Sequence, residues 1–142
     1  MYRQVMVHPD ERHLQNILWR FNASDKLKVF QLNTVTYGTS SAPFLATRCL
    51  KQIGLDCSDP KIAEIIINNF YVDDLLTGGT NRNEVLAIRE KVASSLAAAG
   101  MPLRKWKSND PQLTTGCTQP SFDLNIGAAE PSKTLGLGWL TA

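Results

Sequence analysis

The sequence predicts an α+β fold: a small, mainly antiparallel sheet with a central hairpin, packed on helices. Three observations point to it. VFQLNTV (29–35) alternates and is rich in strand formers, with NILWRF (16–21) placed to pair with it across the turn NASDK. Apolar residues recur at helical spacing near 40–54 and again near 83–99. Between those helices, NNFYVDDLLTGG (68–79) sets two adjacent carboxylates between short strand-like arms and ends on a glycine pair.

Taken in order, strands are expected near 3–7, 16–22 and 27–36. Ser40 or Ser41 then caps a helix, Pro43 suits its first turn, Leu45, Cys49, Leu50 and Ile53 mark its apolar face, and Gly54 stops it. Pro60 to about Asn68 reads as a short helix on the spacing of Ile62, Ile65 and Ile66, with strand as the rival because three isoleucines run together. A hairpin over 70–78 follows, with both aspartates in its bend. The next helix shows Val85, Ile88, Val92, Leu96 and Ala99 on one face, Arg89, Glu90 and Lys91 mostly off it, and Gly100 at its end. Strands near 103–107 and 134–140 complete the order, separated by a Pro- and Gly-rich connection over 110–132.

Composition narrows the function classes. The 142 residues fit one domain, and 43% apolar with 20% charged residues is ordinary for a globular chain. No apolar stretch is long enough to span a membrane and no signal peptide is evident, so a soluble, cytoplasmic protein without a membrane partner is expected. Cys49, Cys57 and Cys117 are odd in number and lack C-x-x-C spacing, which suits buried thiols rather than a disulfide framework or a zinc knuckle. The net charge of +2 is small, but GMPLRKWK (100–107) holds Arg104, Lys105 and Lys107 with no acid among them.

Asp73 and Asp74 on a tight turn cannot both ionise cheaply unless a cation lies beside them, and hard oxygen ligands on a rigid turn suit Mg²⁺. Taken alone, an Asp-Asp pair is more often just a solvated turn. A third reading, an Mg²⁺-dependent phosphohydrolase built on the pair, would leave the flanking motifs as accidents.

Five blocks stand in a fixed order: MYRQV, FQLNTVTYGTSSAPF, FYVDDLLTGG, AGMPLRKWKSN and KTLGLGW. Together they closely resemble the reverse transcriptase palm of LTR retrotransposons, in wording most like the BEL/Pao group. The resemblance covers about 1–109 and 133–139. It divides the chain into a partial palm (1–109), the connection (110–132) and a primer-grip-like C-terminal strand (133–142), and it implies a palm-like form of the α+β fold with YVDD on its hairpin.

The resemblance implies roles residue by residue. Asp73 matches the carboxylate that binds both catalytic Mg²⁺ ions, and Asp74 its less central neighbour, for two-metal transfer of deoxynucleotides to a primer 3′-hydroxyl. Tyr2 matches the aromatic under the incoming sugar that excludes a 2′-hydroxyl. Tyr37 and Gly38 match the loop that contacts nucleotide and template, although Tyr37 stands where the retroviral pattern has glutamine. Lys105 resembles a lysine that protonates leaving pyrophosphate, with Arg104 and Lys107 as rivals by spacing and a solvated basic strand as the plainer reading. Alternation along LRKWK would put Lys105 on one face and Arg104 with Trp106 on the other. Tyr71, Leu135 and Gly136 fall among the primer and template contacts, the last two in the segment resembling the primer grip.

The implied partners are an RNA or DNA template, a primer and deoxynucleoside triphosphates, within the cytoplasm and virus-like particles. In this family an aspartate five positions before the aromatic matched by Tyr2 supplies the second bridging ligand. That position precedes Met1, so the chain is expected to be a piece of an RNA-directed DNA polymerase and inactive by itself. The alternative is a residual nucleic-acid- or protein-binding domain without catalysis. His8 and His13 read as surface residues of a turn, Asn22-Ala23-Ser24 as an unused sequon, and TGGTNRN lacks the lysine and spacing of a phosphate loop.

Overall fold

Residues 1–114 of the computed structural model are described, together with the backbone of the strands Ser132–Thr134 and Leu137–Trp139. The chain divides into two compact units, Met1–Gln52 and Ile53–Ala142.

In the first unit, β1 (Asn16–Trp19) pairs antiparallel with β2 (Lys28–Gln31) in the register Asn16 to Gln31 and Trp19 to Lys28. The expected turn closes at its start, where Asp25 Oδ2 accepts from the Asn22 backbone N–H at 3.1 Å and from Asn22 Nδ2 at 3.0 Å. Both strands are shorter than expected. The strand expected near 3–7 is instead a 3₁₀ turn, Tyr2–Gln4, followed by one antiparallel bridge between Met6 and Thr34. Beyond Gln31 the Gln15 carbonyl still accepts from the Leu32 N–H and the Gln15 side chain bonds Thr34 and Thr36, after which the chain pairs instead with the first residues: the Val7 N–H donates to the Asn33 carbonyl and the Val35 N–H to that of Val5. His8 accepts from the Asp10 N–H and opens a 3₁₀ helix, Pro9–Gln15, on the surface.

Helix α1 runs over Ala42–Leu55. Its buried positions are Ala42, Ala46 and Leu50, whereas Leu45, expected on the apolar face, is exposed. Gly54 does not stop the helix but lies inside it. A Cβ there would stand 2.6 Å from Ile67 Cγ1 and 3.2 Å from the Ala63 carbonyl, so this glycine is what lets the next helix approach.

That next helix, α2 (Pro60–Asn68), settles the helix-or-strand choice at 60–68. Asp59 caps it by accepting from the Lys61 and Ile62 N–H groups, and Pro60 occupies the first helical position, where no N–H is needed. Helix α3 (Arg82–Ala98) is capped by Asn81, whose Oδ1 accepts from the Glu84 N–H at 3.0 Å. It ends in a Schellman turn: Met101 N–H donates to the Leu96 carbonyl at 2.8 Å, Gly100 N–H to that of Ala97 at 2.9 Å, and Gly100 takes φ 75°.

Ile62, Ile65 and Ile66 of α2, Ile88, Val92 and Leu96 of α3, and Met101 and Leu113 are the buried apolar side chains among the described residues of this unit. Each large side chain removed from water contributes roughly 1.5–3 kcal/mol. Ion pairs join the two helices at the surface, Lys61 to Glu84 and Lys91 to Asp59 (2.7 Å). Bonds from Lys61 and Thr80 hold the Glu84 carboxyl down to about 2, and bonds from Lys91 and the Ile62 N–H lower that of Asp59.

Between α2 and α3, β3 (Phe70–Tyr71) pairs antiparallel with β4 (Asp74–Leu75). Further on, β5 (Ser132–Thr134) pairs with β6 (Leu137–Trp139). The α+β class holds, but the single sheet does not: the described residues form three separate two-stranded sheets, and the YVDD hairpin is central to none. No strand forms over 103–107 either. Of the cysteines, Cys49 and Cys57 are free and half-buried rather than buried, and Cys117 lies outside the described residues. Among those residues no helix is long and apolar enough to cross a membrane.

Candidate active-site cleft

The local sequence dictates an uncommon turn. Tyr71 pairs with Asp74, so the hairpin closes through only two residues, Val72 and Asp73. Val72 takes φ 57°. Two-residue hairpins need positive φ at their first central position, where glycine usually sits, and a β-branched residue there costs roughly 1–3 kcal/mol. Both aspartates were expected in the bend, but Asp74 belongs to β4 and only Asp73 is at the tip. Asp73 is exposed and Asp74 half-buried, and neither makes an ion pair or side-chain hydrogen bond among the described residues.

Both carboxylates line an open cleft of about 890 Å³ in the second unit. Its lining combines the chain after β4, Arg82, Val85, Arg89 and Val92 of α3, and the irregular segment 103–110 as a basic wall. Lys105, in that segment, takes φ 59°. The left-handed residue interrupts the extended backbone expected along LRKWK, and Arg104, Lys105, Trp106 and Lys107 are all among the residues that line the cleft.

Side chains far apart in sequence hold that wall. Arg82 Nε donates to Asp110 Oδ2 at 2.8 Å and Arg82 also bonds Gln112, while Arg89 donates to the Leu113 carbonyl. The Gln112 N–H, with Arg82 adding to it, lowers the Asp110 carboxyl from its usual range against the opposing effect of burial. Arg82, Arg89 and Asp110 were not singled out from sequence. The seven-residue spacing of the two arginines, one helix face, was the available signal.

Tyr71 is exposed and is not among the cleft-lining residues. In the first unit Tyr2 and Tyr37 meet edge to face, ring centroids 5.0 Å apart at 67°, and Gly38 follows with φ 85°. Leu135 and Gly136 lie outside the described residues.

The donor set at the turn suits a hard divalent cation, because two carboxylates with no protein partner supply charge and oxygen, and Mg²⁺ is commonly held by one or two carboxylates with water or substrate oxygens completing its shell. Among the described residues no third His, Cys, Asp or Glu joins them. No protein-family model, curated protein or solved structure matches the chain.

Proposed function

We propose that the chain carries the carboxylate turn of an RNA-directed DNA polymerase of the retrotransposon reverse transcriptase kind, working by metal-assisted nucleotidyl transfer inside the cell. The observation that carries this reading is the Val72-Asp73 turn. Strain at a β-branched residue persists only where the surroundings enforce it, and such strain clusters at functional sites. Here it immediately precedes Asp73, which shares a cleft with Arg104, Lys105 and Lys107.

Asp73 and Asp74 would hold Mg²⁺, which when bound lowers the barrier by stabilising charge on the attacking and leaving oxygens. Lys105, which lines the same cleft, would hold a proton near a leaving phosphate, with Arg104 and Lys107 drawing the polyphosphate in. Tyr2, in edge-to-face contact with Tyr37, would contact the nucleotide sugar, and Tyr37 with Gly38 would meet nucleotide and template. Tyr71, Leu135 and Gly136 would serve primer and template.

The second reading, a nucleic-acid- or protein-binding domain without catalysis, is favoured by one observation: two carboxylates alone are few for a two-metal site. Titration of Mn²⁺ followed by electron paramagnetic resonance separates the two. Weak binding that Asp73→Asn abolishes supports the polymerase site, and binding that is absent or indifferent to Asp73→Asn supports the second reading.

A further inference from the structure

We propose that the outer edge of β1 pairs antiparallel with β1 of a second copy of this chain, joining two hairpins into a four-stranded sheet about a two-fold axis at Leu18. The backbone bonds show which edge is open. The Leu32 N–H donates to the Gln15 carbonyl and the register sets Asn16 opposite Gln31, so Gln15, Ile17 and Trp19 turn their peptide groups toward β2 while Asn16 and Leu18 turn theirs outward. Among the described residues, the backbone groups of Asn16 and Leu18 have no partner on that side. The outer edge of β2 differs. Residues 5–7 bond it through the Val7 N–H to the Asn33 carbonyl and the Val35 N–H to that of Val5, and Lys28 guards the rest. No such guard stands on β1, since Leu14 to Trp19 contains no charge, proline or glycine. Every residue of β1 is exposed, Leu18 at 65% and Trp19 at 54%. A two-stranded hairpin bare on both faces is marginal by itself, and further strands are what stabilise it.

The strand's own sequence selects the occupant. With the axis at Leu18, Leu18 meets its own copy, Ile17 meets Trp19 and Asn16 meets Arg20, and the two Leu18 residues exchange N–H to carbonyl bonds. Side chains alternate, so one face gains the row Val29, Leu18, Leu18, Val29 and the other sets each indole against an isoleucine. Charge favours this arrangement. Arg20 faces the neutral Asn16, and the basic turns with Arg20, Lys26 and Lys28 lie at opposite ends of the sheet, whereas parallel pairing would stack Arg20 on Arg20. A charged partner strand would find no counter-charge along 14–19. Assembly stops at two copies, because the edges left outermost are those of β2. The pairing lies in the first unit and uses neither the carboxylate turn nor the basic wall, so it does not rest on the polymerase reading.

The test is sedimentation equilibrium of the 142-residue chain in EDTA and without nucleic acid, over about 5–500 µM, the range suited to a small interface. The mass should reach that of two chains and go no higher. Leu18→Pro removes an N–H that points outward rather than one that holds β1 to β2, so the hairpin persists while self-association weakens about 5- to 150-fold, the worth of two lost hydrogen bonds. Leu18→Lys keeps the backbone and covers the case of a proline variant that does not fold. It sets two ammonium groups against each other and should weaken association about 5- to 30-fold, and mixing it with Leu18→Glu should restore pairing between the two variants. A chain that stays monomeric throughout, assembly beyond two copies, undiminished association of a folded Leu18→Pro, or a mixture of Leu18→Lys with Leu18→Glu no tighter than Leu18→Lys alone overturns the inference. Each result is read without a metal at Asp73, so Mn²⁺ binding and self-association fail separately.

Discussion

The exit from α3 offers a controlled test of how backbone conformation places the basic wall. Gly100 has φ 75° and a Cβ added there would meet nothing within 4 Å, so Gly100→Ala probes dihedral strain without steric overlap. Gly78 is likewise free of neighbours within 4 Å but is not at positive φ, and Gly78→Ala serves as its partner variant. Alanine restricts the unfolded chain equally in both, which stabilises by about 0.4–1 kcal/mol. At Gly100 the left-handed backbone costs an L-residue about 1–2 kcal/mol on top. Gly78→Ala should therefore gain up to about 1 kcal/mol and Gly100→Ala should lose about 0.5–1 kcal/mol. At about 3–4 °C per kcal/mol for a chain of this size, the two unfolding midpoints should differ by about 3–8 °C. Differential scanning calorimetry reads both. Midpoints shifted in the same direction by the same amount would refute the Schellman exit as what turns the chain from Leu96 and Met101 toward the cleft.

Three further outcomes follow from named contacts. Gly54→Ala should destabilise by about 1–2 kcal/mol in urea denaturation, because its Cβ would meet Ile67 and the Ala63 carbonyl; a stabilised variant would mean that the helices part freely. Glu84 has its folded value held at about 2 against an ordinary 4.5, so its pairing stabilises fully above the ordinary value and is lost as pH falls from about 4.5 toward 2; Glu84→Gln should flatten acid unfolding in that window, and an unchanged profile would contradict the pairing with Lys61. Val72→Gly should raise stability by up to about 1 kcal/mol while weakening Mn²⁺ binding at Asp73, and a loss of stability would show that the turn is not strained.

Much of this was legible without coordinates because it is short-range. Pro60 and the isoleucine spacing suggest α2 within one turn, and Gly100 ends α3 through bonds spanning five residues. The same locality explains the error at Gly54: a glycine inside a helix reads as a stop unless the helix packed against it is known. Asp73 and the basic run at 104–107 were both visible as chemistry, but nothing local indicated that one cleft would hold them.

Sequence by itself therefore indicated the helices near 40–54 and 83–99, the hairpin and the residue types available for a site, since each depends on groups a few positions apart; it left 60–68 open between helix and strand and did not point to Asp59 or Asn81 as caps. Tertiary structure alone decided that the sheet divides into separate pairs, that Val72 and Lys105 accept left-handed backbones, and that Arg82 and Arg89 bond the segment after 103 in the cleft that Asp73 also lines. The physical reason is sequence separation: Arg82 reaches Asp110 across 28 positions, and a bond of that span forms only after α3 and the buried residues Met101 and Leu113 have brought the two segments together.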